Sequence, residues 1–358
     1  MQASWISAAA LRMAAGSLSR TPEKSISGMP FARITVTHRD RKGYAKLPHR
    51  LDEGKREDGD REGNGTMRVA VTGGRGRLGR YVVAALHGAH EVRVLDRSPP
   101  EVGDAWPALD VRDREGLAAA LRGEEAVVHL AAIDRSVDAP PELTFDVNVR
   151  GTWNLFQAAE AVGLRRVVLC SSSVVTGLVD GDQAPLYLPI DENYPLCPRD
   201  TYALTKVIGE EIAAAFARRG TLEIVVLRPS YIAFPETIEF LSGASPVIAG
   251  RAIEQRPHLR SYIGPEDAAR AFALALTCNA SGQAPFWLAA ADTFIAEPTL
   301  DYLRGVHGAL PALRDPDLYR HHPRACAFDL ARTERLLGWT PTTHWPDLLR
   351  KAALGGEG

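Results

Sequence analysis

Paired cysteines, net charge and long apolar runs are all scarce in this sequence. Its four cysteines, Cys170, Cys197, Cys278 and Cys326, are scattered along 358 residues. None forms a Cys-x-x-Cys pair, so neither a disulfide framework nor a cysteine-based zinc site is indicated. Reduced thiols in a cytoplasmic protein are the expectation, and Cys170, within an apolar run, reads as a small buried hydrophobe. The formal net charge is only −2, which gives no electrostatic footprint for nucleic acid or an anionic membrane. No apolar run approaches the roughly 20 residues that span a bilayer. Metal-ligand clusters are also missing. His87 and His90 sit on an expected helix without a carboxylate or cysteine partner, His321 and His322 read as loop residues, and His129 as a satisfied core histidine; no metal is expected.

What is present is an ordinary globular composition, 45% hydrophobic, long enough for one large α/β domain with an appendage. Residues 1–66 lack sustained periodicity and end in the charge-dense run "HRLDEGKREDGDREGNGT". Such a segment cannot bury enough apolar surface to offset its ordering entropy and reads as a disordered leader. Its opening has Ser, Ala and Arg but no acidic residue, as transit peptides do; the simpler reading is an extension ahead of a start at Met67.

From Met67 a strand–helix rhythm begins. "MRVAVT", "EVRVLD", "EAVVHLAA", "RRVVLCSS" and "LEIVVLRP" read as buried strands, with helices in "GRYVVAALHGA", "EGLAAALRG", "RGTWNLFQAAEAVG" and "TYALTKVIGEEIAAAFARRG" between them. This alternation predicts an α/β fold, a Rossmann-type doubly wound parallel sheet with its ligand crevice at the strand carboxyl ends. Residues 67–229 are expected to form the nucleotide-binding domain. Residues 230–358, with a helix in "IGPEDAARAFALALT", a strand in "PFWLAA" and a helix in "DLARTERLLGW", complete it and supply a small C-terminal substrate-binding lobe.

Four glycines in seven residues, "GGRGRLG" from Gly73 to Gly79, follow the first strand and open the first helix. In that setting Thr72 and Gly73 make the turn, Gly76 lets the backbone approach a pyrophosphate, and Gly79 lets helix and sheet pack closely. The helix start, at Arg77 and Leu78, offers unpaired N–H groups to phosphate. Asp96, about 20 residues on, is placed for the adenosine ribose hydroxyls and opposes a 2′-phosphate, which favours NAD. Arg75 and Arg97 attract a 2′-phosphate, so NADP stays open.

"TYALTK" places Tyr202 and Lys206 four residues apart on one helix face. An ammonium near a phenol favours phenolate, giving a general base for a substrate hydroxyl. Taken in order, "TGGRGRLG", "VVHLAA", "NVRGTWNLFQAA", "VVLCSSSVVTG", "YALTK", "LRP" and "LLGWTP" resemble the extended short-chain dehydrogenase/reductases of the NAD-dependent epimerase/dehydratase group, over Met67 to about Leu349. The resemblance implies that Ser172, five residues before Gly177, hydrogen-bonds the substrate oxygen, with Ser173 beside it. It implies that Lys206 also holds the nicotinamide ribose, that Asp110 and Val111 contact the adenine, that Leu130, Ala131 and Ala132 line the cofactor, and that Asn148 positions the active-site helix. A homodimer through the Tyr202 helix follows by the same analogy.

Departures narrow the reading. Dehydratases of the group carry an Asp-Glu pair where this chain has Ser173 and Val174, so dehydration is disfavoured. Tyr231 in "RPSYIAFP" replaces the Asn common in nucleotide-sugar enzymes, weakening the case for a diphosphate-linked substrate. The expected activity is an NAD(P)-dependent oxidoreductase or epimerase acting on a carbinol carbon of a sugar-like alcohol, with Tyr231 near the substrate. A non-catalytic NAD-binding sensor or scaffold is the alternative, and the intact Ser172, Tyr202 and Lys206 argue against it.

Overall fold

The computed structural model describes residues 65–99, 108–178, 183–242, 247–248, 251–252, 259–279 and 284–355. The leader expected over 1–66 lies outside these residues but for its last two. Six short apolar runs form one parallel sheet: β1 (Arg68–Thr72), β2 (Glu91–Leu95), β3 (Ala126–His129), β4 (Arg166–Cys170), β5 (Glu223–Pro229) and β6 (Ala284–Leu288). Their spatial order is β6-β5-β4-β3-β1-β2, every neighbour parallel, with Val69 opposite Val92 on one side and Ala126 on the other. The order reverses between β1 and β3, so the chain leaves the middle of the sheet in opposite directions there. A crevice at the strand carboxyl ends results.

Alternation along each strand sends side chains to two separate cores. Val69 and Val71 of β1, Val128 of β3 and Val168 of β4 pack beneath α1 (Arg77–Leu86) and α5 (Pro265–Ala275). Ala70, Val127, Val167 and Leu169 pack on the opposite face with α2 (Arg114–Ala120), α3 (Gly151–Ala161) and α4 (Thr201–Ala217). Each fully buried Val or Leu contributes about 1.5–3 kcal/mol relative to exposure, so the pattern fixes the register of every strand. Local signals set the helix starts. The Asp113 and Asp200 side chains accept from Gly116 and Ala203 N–H groups at the heads of α2 and α4, and Pro265 occupies the first turn of α5.

Residues beyond 230 are shared between two apolar clusters. β6, α5, Leu337 and Trp339 join the β1 side of the sheet core. Leu188, Trp287, Leu303, Tyr319 and Phe328 build a separate cluster. The Asp267 carboxylate accepts from the Thr342 and Thr343 N–H groups and the Thr342 hydroxyl, tying the late segment to α5. No helix of the described residues is long and apolar enough to cross a membrane.

Candidate active site

The glycine run forms a tight turn between β1 and α1. Gly73 has φ +71°, and a Cβ there would lie 2.7 Å from the Ala131 nitrogen. Gly79 packs so closely on the turn that a Cβ would meet the Gly73 oxygen at 2.2 Å. At Gly76, which precedes α1, a Cβ would meet a single neighbour within 4 Å, the Gly73 carbonyl oxygen, at a tight 3.1 Å. The Gly76 N–H bonds back to Gly73, while those of Arg77, Leu78 and Gly79 meet no acceptor among the described residues. Three orphan donors at a positive helix end, above a glycine, make a cradle fitted to a pyrophosphate.

Asp96 lies just past the end of β2. Its carboxylate accepts from the N–H groups of Arg75 (3.0 Å) and Ser98 (2.9 Å), which pins it beside the glycine turn. Asp110 is gripped by Arg112, whose guanidinium holds its carboxyl below the usual range. Val111 is buried under α3, where a Cβ on Gly151 would touch it at 2.5 Å. Leu130 bonds the Thr72 carbonyl through its N–H, and the Ala131 N–H reaches the Thr72 hydroxyl; Ala132 follows at the crevice edge.

β4 ends at Cys170, and the next residues turn back towards α4. Ser172 caps the single turn Ser173–Thr176, accepting the Val174 N–H at 3.4 Å. Its side chain neighbours the Tyr202 phenol, a proximity that favours phenolate. Ser173 is sealed in at 1% exposure. Lys206 Nζ donates to the Cys170 carbonyl at 2.8 Å. Tyr231 lies on a two-residue strand paired with Tyr262, and burial pushes its phenol up.

The electrostatics differ from expectation in one respect. Lys206 was expected to pull the phenol down; instead burial pushes Tyr202 up, reinforced by Cys170 and Asp134. The ammonium is committed to a carbonyl and lies 5.5 Å from the centre of the Tyr202 ring. Burial also pushes Lys206 itself towards neutrality. A second correction concerns His87 and His90: α1 stops at Leu86, so both lie in the following turn, and the His90 ring accepts from the Met67 N–H. No group of three or more metal-ligating side chains occurs among the described residues.

The contacts of Asn148 and His129, and the roles of Asp134 and Arg135, are visible only in three dimensions. Asn148 lies in a π-helical turn, Asp146–Arg150, whose wider winding turns its amide to the Ile133 backbone and the Thr205 hydroxyl of α4. His129 is buried and fully bonded. Thr152 donates to the Asn148 carbonyl at 2.6 Å, so towards His129 it accepts. The ring hydrogen is therefore on Nε2, and Nδ1 accepts from the Thr72 hydroxyl. Asp134 pairs with Arg77 of the glycine turn at 3.1 Å, and its neighbour Arg135 pairs with Asp200, the cap of α4, at 3.2 Å. Nothing in the local sequence marks either loop residue.

Comparisons place this geometry among known proteins. The model of the NAD dependent epimerase/dehydratase family matches residues 69–286. L-arabinose 1-dehydrogenase (NAD(P)(+)) of Haloferax volcanii is 35% identical over 172 residues, 46% of this chain and 67% of that protein. The 3beta-hydroxysteroid-dehydrogenase/decarboxylase isoform 2 of Arabidopsis thaliana is 33% identical over 184 residues, 46% of this chain and 32% of that one. The matches thus span between a third and two thirds of these relatives' lengths. A short-chain dehydrogenase/reductase superfamily protein of Agrobacterium tumefaciens, solved with bound NAD, superposes with a TM-score of 0.61 at 27% identity, covering 81% of this chain and 97% of that chain. With the family model spanning more than half of the sequence, and its sheet, glycine turn and Tyr-x-x-x-Lys helix all in place, the chain belongs to the NAD-dependent epimerase/dehydratase family.

Proposed function

We propose that the protein is an NAD-dependent dehydrogenase that oxidises a carbinol carbon of a sugar-like alcohol. The observation that carries this reading is that two sets of groups lie at the carboxyl ends of the same sheet, after β1 and after β4, with only β3 between them. One is the phosphate cradle after β1; the other is Ser172, Tyr202 and Lys206 between β4 and α4.

The cradle of Arg77, Leu78 and Gly79 N–H groups beside Gly76 would hold the cofactor pyrophosphate. Asp96 would take the adenosine ribose, Asp110 and Val111 the adenine end, and Lys206 with Tyr202 the nicotinamide ribose. When bound, NAD supplies the acceptor for the hydride. The chain's own part is proton handling and placement. Ser172 donates to the substrate oxygen and orients it. Tyr202 removes the hydroxyl proton, and the Lys206 charge opposes the burial that keeps the phenol neutral. The half-buried setting of Tyr202 limits water at the reacting carbon.

Similarity to an arabinose dehydrogenase supports a sugar-class alcohol. Tyr231, followed by Ala233 and Phe234, supports a compact substrate over a nucleotide sugar. We also infer a homodimer through α3 and α4, where Trp153 and Leu204 are exposed at 41% and 43% beside Phe145 at 42%.

The test is separate titration of NAD and NADP, followed by a panel of pentoses, hexoses, sugar acids and simple alcohols with NADH formation read by absorbance. Tyr202→Phe should lower turnover by roughly 10²–10⁴-fold with NAD affinity nearly unchanged. NAD binding without net reduction, but with conversion of the substrate to its epimer and retention of a deuterium label at that carbon, would replace the dehydrogenase by an epimerase. Turnover of Tyr202→Phe at the parent rate would remove Tyr202 as the base.

A further inference from the structure

The end of β4 meets α4 at three successive residues. Tyr202, Lys206 and Glu210 follow one another at four-residue intervals and so share one helix face. Opposite them, Ser172 neighbours the Tyr202 phenol, the Cys170 carbonyl accepts from Lys206 at 2.8 Å, and the Ser171 hydroxyl donates to Glu210 Oε1 at 2.5 Å. Residues 170, 171 and 172 therefore each have a partner on the helix. Glu210 is itself gripped from the adjacent strand β5: Arg228 Nε lies 2.9 Å from Oε1 and Nη2 lies 2.6 Å from Oε2. Both side chains are almost completely buried, and the guanidinium lies 4.8 Å from the centre of the Trp287 ring.

A buried ion pair is a poor source of stability, because desolvation offsets most of the attraction, and apolar replacements of similar volume are often neutral or better. It does fix geometry, since two parallel bonds from a planar guanidinium allow the carboxylate one orientation. Here that orientation is transmitted to the segment carrying Ser172.

We propose that Glu210, held by Arg228, is a positioning residue: through Ser171 it fixes the end of β4 against α4, and so sets Ser172 against Tyr202 and the Cys170 carbonyl against Lys206. The inference rests on the reading of Ser172, Tyr202 and Lys206 as the reacting group. Asp134 and Glu210 are the carboxylates whose charge favours the protonated form of Lys206, against the burial that lowers it.

Ser171→Ala tests this, because it deletes the middle contact and leaves the Glu210–Arg228 pair intact. Lys206 is followed by ¹³Cε NMR titration, its resonance assigned by its loss in Lys206→Met. Alongside it are measured kcat, KM, NAD affinity and thermal stability. The expected result is a kcat lower by about tenfold or more, with KM and NAD affinity within twofold, little change in melting temperature, and a Lys206 titration displaced to lower pH. If kcat and the Lys206 titration both stay at parent values, or kcat falls only in proportion to the folded fraction, Glu210 holds the fold and no more. A displaced Lys206 titration in a protein whose parent oxidises no alcohol of the panel would support the positioning role and overturn the substrate reading instead.

Discussion

The Thr72 hydroxyl lies 2.7 Å from Nδ1 of His129 and donates to it, joining the last residue of β1 to the last residue of β3. The other ring nitrogen donates to Thr152, which bonds the Asn148 carbonyl, and the Asn148 amide reaches Thr205 on α4. A continuous line of hydrogen bonds thus runs from the glycine turn to the helix of Tyr202, and it requires a neutral imidazole.

Burial holds His129 in that neutral form, pushing its pKa from 6.5 down to about 3. A base whose folded pKa is depressed contributes stability that is fully present above its unfolded pKa near 6.5 and is lost as pH falls from there towards 3. Urea unfolding between pH 7 and 4.5 should therefore show stability declining by up to about 1.4 kcal/mol per pH unit from this one proton. His129→Gln should flatten the slope. Equal slopes in the two proteins would mean that another group carries the dependence.

Gly76 and Gly79 should fail in different ways. Alanine at 79 would place its Cβ 2.2 Å from the Gly73 oxygen, so Gly79→Ala should lower the melting temperature markedly. Alanine at 76 meets only a 3.1 Å contact but fills the space where a pyrophosphate would approach. Gly76→Ala should keep its melting temperature within a few degrees and weaken NAD binding at least tenfold, about 1.4 kcal/mol. Calorimetry with NAD on both variants checks the contrast; intact NAD affinity in Gly76→Ala would place the phosphates elsewhere.

Asp96 is expected to set the choice between NAD and NADP. Arg97 is exposed beside it, and Arg75 is anchored nearby through the Ser98 carbonyl at 3.1 Å. Removing the carboxylate leaves positive charge at the ribose site, so Asp96→Ser should raise the NADP-to-NAD affinity ratio by tenfold or more. The ratio is the informative quantity, because loosening of the turn that Asp96 also pins would weaken both cofactors equally.

Trp153 and Leu204 test the proposed dimer. Replacing either with Glu puts a charge on the exposed apolar side chains of α3 and α4 and should shift the mass seen by light scattering to that of one chain, with the NAD-binding turn undisturbed. An unchanged mass would move the interface to another face.

The sheet was legible because its strands are apolar runs of four to seven residues closed by turn residues, and the reacting group because Tyr-x-x-x-Lys is a spacing. Geometry that depends on partners far along the chain was not. The π-turn at Asp146–Arg150 breaks the 3.6-residue period by which a helix is read. The helices Thr299–His307 and Pro316–His321 are too short and charged for their periodicity to rise above that of a loop. The Arg77–Asp134 pair joins residues that no local pattern connects. Even the direction of the Tyr202 shift depended on a quantity absent from the sequence, the depth at which the phenol is buried.

Trp339 is fully buried in the same core as Val69 and Val71, its indole N–H bonded to the Asp267 carbonyl at 2.9 Å. This bears on how the protein is made. Synthesis at about 5–20 residues per second separates Val69 from Trp339 by on the order of tens of seconds. Throughout that interval one apolar face of the nascent sheet lacks its last covering residues. The opposite face, closed by α2, α3 and α4, has all its partners by residue 226. The two sides of one sheet thus mature at different times, and the later side is the one that a ribosome-associated chaperone would have to shield.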